Sequence, residues 1–324
     1  MSAKTGWLMA VLLLMAGALA SCRNAATTDP PPTLTPTPMS TPLATLPPTI
    51  APGSADNPVR FLIVTDATGR AANSAAAALR DALQEGTDLT MEVQLVSSDR
   101  DAVEALCNAF DGPQALALVS APGYSAASAL NCGFPLFLVQ NDSDAVSRDI
   151  VPIASEDSDI ETLSGLTGHT FCRLSATDLN TWQAPSLVML AEGLPPTSTL
   201  KEVVDVADLD TLVEQVASGD CDAAALALDD YERIASSEQQ DTITQLPQTL
   251  SLPLGVIMAA NEFPLGMRQT LTEALRTFVR STDGVGALDA LAGAAGLVPY
   301  TDGALDDWNA FIARTGIDFA GFQN

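Results

Sequence analysis

The chain has 324 residues, 47% of them hydrophobic, which is enough to bury one large core or two ordinary ones. Forty acidic residues against fourteen basic ones give a formal net charge of −26, and a surface of that sign repels nucleic acid and anionic lipid. A single histidine and the lack of Cys-x-x-Cys spacing argue against a metal site, so we expect no metal and no cofactor.

The first residues have the pattern of an export signal. Lys4 precedes an apolar run at positions 7–20, which is too short to cross a bilayer of about 30 Å but suits a signal peptide. The run ends in Leu-Ala-Ser-Cys at positions 19–22, which resembles the bacterial lipobox, where the cysteine is lipidated before cleavage. We predict a lipoprotein signal peptide over residues 1–21 and a membrane anchor on Cys22; an ordinary secretory cleavage site is the alternative.

A tether is predicted over residues 22–58, where proline and threonine dominate and charge is nearly absent. Because proline lacks an N–H group and fixes φ, such a segment favours an extended chain over helix or sheet. We expect it to hold a globular body away from the membrane; a leader with no spacing role is the alternative.

Four cysteines remain beyond Cys22, namely Cys107, Cys132, Cys172 and Cys221. An even number in an exported protein predicts two disulfides, for which three pairings are possible. Sequence order favours Cys107 with Cys132 and Cys172 with Cys221, because each bond then closes a modest loop and stabilises the fold by about 3–4 kcal/mol. Four buried free thiols are the alternative.

The globular part begins with alternating strands and helices. Strands are predicted at 59–65, 89–96 and 115–120, with helices at 71–85, ending at Gly86, and from a capping-box pattern at Ser98 and Asp101 to about residue 110. This βαβαβ order predicts parallel pairing with right-handed crossovers and helices on both faces of the sheet.

The same order is repeated further along the chain. Strands are predicted at 170–174, 202–206 and 223–228, with helices at 182–192 and 209–218. Extended segments at 134–140 and 150–154 lie between the two units, and further extended segments at 242–246 and 254–260 precede helices at 265–280, 286–295 and 302–315. The pattern predicts two α/β lobes joined by two crossing segments, with the C-terminal helices returning to the first lobe.

Several motifs of the second unit occur together in one protein family. They are Leu-Ser-Gly-Leu-Thr-Gly-His-Thr-Phe-Cys at 163–172, Trp182 with Pro185, Ser-Gly-Asp-Cys-Asp-Ala at 218–223, and Leu-Pro-Leu-Gly-Val at 252–256. In this order they resemble the phosphate/phosphite/phosphonate class of periplasmic solute-binding proteins, the extracytoplasmic receptors of ABC importers, over most of the chain from residue 56.

The resemblance implies a fold and a domain plan. The fold is α/β, a two-lobed type II periplasmic-binding-protein-like architecture in which each lobe is a mostly parallel sheet flanked by helices. Lobe 1 would comprise residues 56–145 and 251–324, and lobe 2 residues 146–250. Both disulfide pairings given above are also implied.

The resemblance further implies a mechanism and partners. The two lobes close on a small solute, and anionic solutes are held by hydroxyls and by N–H groups at helix N-termini. Together with the lipobox and the tether, it predicts a monomeric, lipid-anchored, extracytoplasmic component of an ABC importer that binds a phosphate- or phosphonate-like solute and contacts a permease. A sensory or interaction lipoprotein that keeps the fold without transport is the alternative.

The sequence departs from the family pattern at the ligand turn. Counted back from Trp182, the family's Ser-Thr-Ser turn falls on Asp178, Leu179 and Asn180, and an expected tyrosine is replaced by Val146. An aspartate at a helix N-terminus caps the N–H groups that a phosphate would use, and its charge opposes a dianion. These changes do not affect the family assignment. They do weaken the expectation that the solute is a phosphonate.

Nine residues at or near the predicted strand ends are candidates for solute contact, because ligands of α/β sheets bind at the carboxyl ends of strands. They are Asp66, Thr68, Ser120, Tyr124, Ser125, Asp178, Asn180, Thr181 and Asp229. For each of them a turn, a helix cap or cover for the core is the alternative role, and Trp182 is expected to pack between helix and sheet.

An enzyme is an alternative, because the sequence Gly-Tyr-Ser-Ala-Ala at 123–127 distantly resembles the G-x-S-x-G elbow of α/β-hydrolases. A serine hydrolase would need Ser125, an acid and the single histidine, His169, to converge. His169 immediately precedes a predicted strand and therefore lies at its amino end, away from the usual site. We predict that the protein is not an enzyme.

Overall fold

The computed structural model describes residues 50–110 and 112–323. The predicted signal peptide, Cys22 and most of the predicted tether therefore lie outside the described residues. The last part of the predicted tether is folded against the body, since the Thr90 N–H donates to the carbonyl of Gly53 at 2.8 Å.

The described chain alternates strands and helices. The first elements are β1 (Val59–Val64), α1 (Gly69–Thr87), β2 (Met91–Val96), α2 (Asp99–Cys107), β3 (Ala115–Val119), α3 (Ala121–Ala129) and β4 (Gly133–Gln140). Next come β5 (Ser147–Ser155), β6 (Thr170–Arg173), a π-helical turn (Leu179–Gln183), α4 (Ala184–Ala191), α5 (Pro196–Thr199), β7 (Glu202–Asp205), α6 (Leu209–Ser218), β8 (Ala223–Ala227), α7 (Leu228–Ile234), α8 (Ser237–Gln240), β9 (Ile243–Gln245) and β10 (Leu250–Pro253). The last are β11 (Val256–Ala260), α9 (Leu265–Phe278), α10 (Thr282–Ala292), β12 (Gly296–Pro299) and α11 (Asp306–Thr315).

The first sheet has the strand order β12-β4-β11-β3-β1-β2. β1 pairs in parallel with β2 and with β3, whereas β11 is antiparallel to β3 and β4, and β12 is antiparallel to β4. The strands β1 to β4 therefore run in one direction, and β11 and β12 run in the other. The predicted parallel βαβαβ unit is confirmed.

The second sheet has the order β10-β5-β8-β6-β7, with β9 also paired to β5. β6 is parallel to β7 and β8, whereas β5 is antiparallel to β8, β9 and β10. Only β5 runs against the other strands of this sheet. The two-lobed α/β fold with mostly co-directional strands is confirmed.

Strand alternation separates the two faces of the first sheet. Phe61 and Ile63 are buried against α1, α9 and α10, whereas Leu62, between them, is buried against α2 and α3. Burial on both faces explains why β1 and β3 are almost continuously apolar.

Gly86 does not end α1 as predicted, because the helix continues to Thr87. A Cβ atom on Gly86 would lie 3.0 Å from the Cβ of Ala274 in α9, so this glycine lets the two helices approach closely.

Two short connections join the sheets. Residues 141–146 lead from β4 to β5, and Leu254 and Gly255 lead from β10 to β11. The Leu254 N–H donates to the carbonyl of Val146 at 3.0 Å, so the two connections lie side by side. The segments 134–140 and 150–154, which we expected to cross between lobes, instead belong to β4 and β5, and the chain returns to the first sheet after Pro253 rather than at residue 251.

The C-terminal helices do not all return to the first lobe. α9 and α10 pack on α1 as expected, but α11 contacts α4 of the second lobe. α11 is also attached to the first lobe, because Trp308 Nε1 donates to Ser125 Oγ of α3 at 2.9 Å. This helix therefore bridges the two lobes.

Both favoured disulfides are present. Cys107 at the end of α2 is bonded to Cys132 after α3, with Cα atoms 4.6 Å apart. Cys172 of β6 is bonded to Cys221 before β8, with Cα atoms 6.0 Å apart. Each bond lies within one lobe, and the predicted pairing is confirmed.

Candidate functional site

A cleft of about 1060 Å³ lies between the two sheets. Its wall from the first lobe includes the segments that follow β1, β2 and β3, where the carboxyl ends of parallel strands meet. Its wall from the second lobe is the π-helical turn and the start of α4. The connection at Leu254 and Gly255 and the segment 317–319 complete the lining, so the cleft lies where the lobes are joined.

Asp99 is the most constrained carboxylate of the cleft. Its Oδ1 accepts the Ser120 N–H at 2.9 Å and its Oδ2 accepts the Ser120 hydroxyl at 2.5 Å. Ser120 is the N-cap of α3, and a Cβ atom on Gly123 would overlap Asp99 Oδ1. The glycine thus lets the carboxylate sit on the first turn of α3, where the helix dipole favours negative charge.

Burial raises the pKa of Asp99 above its ordinary value of 3.8, although the two hydrogen bonds from Ser120 lower it. A carboxyl whose pKa is raised on folding stabilises the fold most below pH 3.8 and loses that contribution as pH rises through its folded pKa. Ionised Asp99 therefore makes an unfavourable contribution to the free energy of unfolding at neutral pH.

Asp99→Asn should stabilise the protein at neutral pH, because the amide oxygen accepts the Ser120 N–H and the amide NH2 donates to the Ser120 hydroxyl, without a buried charge. In urea unfolding from pH 3 to 7, we expect the gain over wild type to grow with pH. Asp208→Asn is the control of opposite sign, since hydrogen bonds from Thr211 lower the pKa of exposed Asp208 and its ionised form stabilises the fold. A gain for Asp99→Asn that does not change with pH would contradict this role of burial.

Asp178 occupies the corresponding position in the second lobe. Its Oδ1 accepts both the backbone N–H and the hydroxyl of Thr181, each at 2.7 Å. Thr181 is 1% exposed, and its hydroxyl oxygen accepts the Leu174 N–H at 3.1 Å, which attaches the turn to the end of β6. The cap predicted for Asp178 is therefore present.

The cleft lining is strongly acidic. Among the described residues its ionisable side chains are carboxylates, and no arginine, lysine or histidine lines it. These carboxylates are Asp66, Asp99, Asp178, Asp289 and Asp318. Polar and aromatic neighbours include Asn180, Gln183 and Trp182, so the cleft offers acceptors and apolar surface.

The structure brings four of the nine candidate residues to the cleft, namely Asp66, Ser120, Asp178 and Asn180. It places the other five outside the lining. Thr68 is exposed just before α1, and Asp229 is exposed in the first turn of α7. Thr181 is buried beneath Asp178 and serves the backbone instead.

Tyr124 and Ser125 are also outside the lining because they are buried inside the first lobe. The Tyr124 hydroxyl accepts a hydrogen bond from Asn309 Nδ2 at 3.4 Å, and Ser125 Oγ donates to the carbonyl of Ala121 at 3.2 Å while accepting from Trp308. Both side chains attach α11 to α3. Their position at or near the turn after a predicted strand suggested a ligand role, but they point to the core.

Ser125→Ala should lower the free energy of unfolding by about 1–3 kcal/mol, because it leaves the buried Trp308 N–H without its acceptor. Solute affinity should not change, since neither residue lines the cleft. Chemical unfolding with a parallel binding titration checks both points. Ser128→Ala in the same helix, where no side-chain hydrogen bond is seen, is the matched control; a selective loss of binding in Ser125→Ala would contradict this role.

Sequence reasoning missed Asp99 and the cleft role of Trp182. Asp99 begins the helix after β2 just as Asp66 follows β1, so its position after a parallel strand was the available signal. Trp182 packs between helix and sheet as expected, with its ring 4.4 Å from the Arg173 guanidinium and 6.0 Å from the Phe171 ring, and it also lines the cleft.

The described residues do not assemble the triad of a serine hydrolase. His169 Nδ1 lies 3.3 Å from Asp222 Oδ2 at the amino end of β6, whereas Ser125 is buried in the other lobe. The Ser125 hydroxyl donates to the Ala121 carbonyl and accepts from Trp308, and the imidazole of His169 is not beside it. Among the described residues, no group of three histidine, cysteine or acidic side chains is arranged to hold a metal ion.

The sequence was compared with protein-family models. Residues 61–305 match the family described as ABC transporter, phosphonate, periplasmic substrate-binding protein. The chain belongs to this family. It is therefore an extracytoplasmic solute-binding component of an ABC transporter rather than an enzyme, as predicted. A comparison with curated protein sequences gave no match.

Solved structures show the same fold at low identity. A Xanthomonas citri protein solved with ATP has a TM-score of 0.61 at 14% identity over 80% of this chain and 97% of its own. A phosphonate-transporter binding protein from Pseudomonas aeruginosa has a TM-score of 0.56 at 15% identity, over 80% of this chain and 87% of its own. A Prochlorococcus marinus protein in complex with methylphosphonate has a TM-score of 0.51 at 14% identity, over 78% of this chain and 96% of its own.

No helix within the described ranges is both long and apolar enough to cross a bilayer.

Proposed function

We propose that the protein is a lipid-anchored receptor that binds one small solute in the cleft and presents it to an ABC permease. The observation that carries the proposal is the cleft itself. It is formed by both lobes of a member of a solute-binding family, its volume of about 1060 Å³ suits a small organic molecule, and the carboxyl ends of β1, β2 and β3 meet there.

The connections between the lobes supply the hinge of this proposal. Residues 141–146 and the pair Leu254 and Gly255 lie side by side, so a rotation about them moves lobe 2 relative to lobe 1. Solute that contacts both walls stabilises the closed arrangement by its differential affinity for that state. α11 crosses between the lobes and limits the range of this motion.

The anchor and the tether complete the proposal. Lipid on Cys22 would hold the protein at the outer face of the membrane, and the proline-rich segment would let the body reach a permease. The phosphate- or phosphonate-like solute expected from the family is the least supported part, because Asp99 and Asp178 already occupy helix N-termini of the cleft.

A thermal-shift screen of the full-length chain in detergent tests the receptor role. Phosphate, phosphite, methylphosphonate, neutral sugars and organic cations are added separately. A solute at about 100 times its Kd should raise the free energy of unfolding by about 2.7 kcal/mol. No stabilisation by any solute would contradict the receptor role and favour the sensory or interaction lipoprotein.

A further inference from the structure

The charge of the cleft is of one sign on both walls. Asp66 and Asp99 line it from the first lobe and Asp178 from the second, and Asp289 and Asp318 also belong to its lining. In the described part of the chain no basic side chain lines it. Because the low-dielectric walls focus the field of these carboxylates, the cleft concentrates cations and repels anions.

The positions that would bind an anion are already filled. The first turn of α3 is covered by the Asp99 carboxylate, and the N–H of Thr181 in the π-helical turn is bonded to Asp178 at 2.7 Å. A phosphate or phosphonate would have to displace one carboxylate and remain close to the other. Such an anion would meet like charge, and the described lining residues include no guanidinium or ammonium group to offset it.

The arrangement does not suit a metal ion. A bound Mg²⁺ or Ca²⁺ needs several oxygen ligands gathered around one point, and the described residues contain no such cluster. The carboxylates are instead spread around a cleft whose lining also includes Trp182, Leu187, Leu190 and Phe319. Separated carboxylates with apolar and aromatic surface between them fit an organic cation, whose charge they pair and whose carbon skeleton they cover.

We propose that the cleft binds a small organic cation carrying an ammonium or guanidinium group. The inference rests on the proposed function, because it takes the cleft to be the solute site. Asp178 and Asp66 pair with the charged group from opposite walls, and Trp182 contacts the carbon skeleton.

Isothermal titration calorimetry of the full-length chain in detergent tests the sign of the charge. The probes are agmatine, putrescine, arginine and choline as cations, phosphate and methylphosphonate as anions, and glucose as a neutral solute. At least one of the cations should bind, with affinity that falls as salt is raised from 20 to 200 mM, whereas the anions and glucose should not bind.

Two isosteric variants then locate the effect. Asp178→Asn keeps the helix cap but removes one cleft charge, and it should weaken binding of that cation roughly tenfold or more. Asp208→Asn is the matched control, because Asp208 caps α6 through the Thr211 N–H at 2.8 Å, the same bond that Asp178 makes, but lies outside the cleft. It should leave cation affinity unchanged.

The outcomes separate the two proposals. Binding of phosphate, methylphosphonate or glucose without any cation overturns the cation inference and leaves the receptor role intact. Equal weakening of cation binding in Asp178→Asn and Asp208→Asn also overturns the cation inference, because the loss would then come from a weakened helix cap rather than from a lost charge in the cleft. Failure of every solute in the panel and in the thermal-shift screen contradicts the receptor role itself.

Discussion

Cys22→Ala should release the protein from the membrane completely. The chain would then lack the thiol at position 22 that receives the lipid. Fractionation of cells, followed by detection of the protein in soluble and membrane fractions, measures the effect. Incorporation of labelled fatty acid should be lost in the same variant.

Ser21→Ala is the matched control for this experiment, because it keeps a small residue immediately before the cysteine. We expect it to remain in the membrane fraction and to carry lipid. If Cys22→Ala is retained in the membrane as strongly as Ser21→Ala, the lipobox prediction is wrong and the segment is an ordinary export signal.

Removal of either disulfide should cause the largest loss of stability. Replacing Cys172 and Cys221 together by alanine should lower the free energy of unfolding by about 4 kcal/mol, and replacing Cys107 and Cys132 by about 3.5 kcal/mol. The difference follows from the sequence separations of 49 and 25 residues, since a longer loop loses more entropy on closure. Urea unfolding of both double variants and of wild type measures these losses.

Peptide mapping without reduction is the direct control for this prediction. It should find Cys107 linked to Cys132 and Cys172 linked to Cys221. Reduced wild type should be less stable than either double variant, because it lacks both bonds. A loss below about 1 kcal/mol in both variants would show that the bonds do not carry the stability assigned to them.

The parts of the fold that were predicted are those that local pattern determines. Apolar runs such as β1 and β3 are buried on both faces of a sheet, and their alternation with helices gives the parallel pairing. The order of the cysteines along the chain predicted the disulfide pairing correctly, because each bond closes a short loop within one lobe.

The parts that were not predicted depend on distant contacts. α11 was assigned to the first lobe, where its Trp308 does meet Ser125, 183 residues away, but the helix also packs on α4 of the second lobe. α3 was not predicted at all, because Ala-Pro-Gly at its start has the composition of a turn, although proline suits the first turn of a helix.

The location of the candidate site at the strand ends was predicted, but the side chains that enter it were only partly predicted, because they depend on distant contacts. A position after a strand identifies the end of the sheet, but whether the side chain enters the cleft or the core depends on the neighbouring helix. Asp66 and Ser120 enter the cleft, whereas Tyr124 and Ser125 are turned inward by α11. Asp99 was missed because its contact with Ser120 joins two different strand ends.

The proposed function requires the two lobes to close upon the solute. Small-angle X-ray scattering of the full-length chain in detergent, with the detergent contrast-matched, measures the radius of gyration with and without the solute that gives the largest stabilisation. We expect a smaller radius of gyration at saturation. Asp178→Asn should require more solute than Asp208→Asn to reach this smaller radius. An unchanged radius while calorimetry shows the solute bound would contradict closure of the lobes.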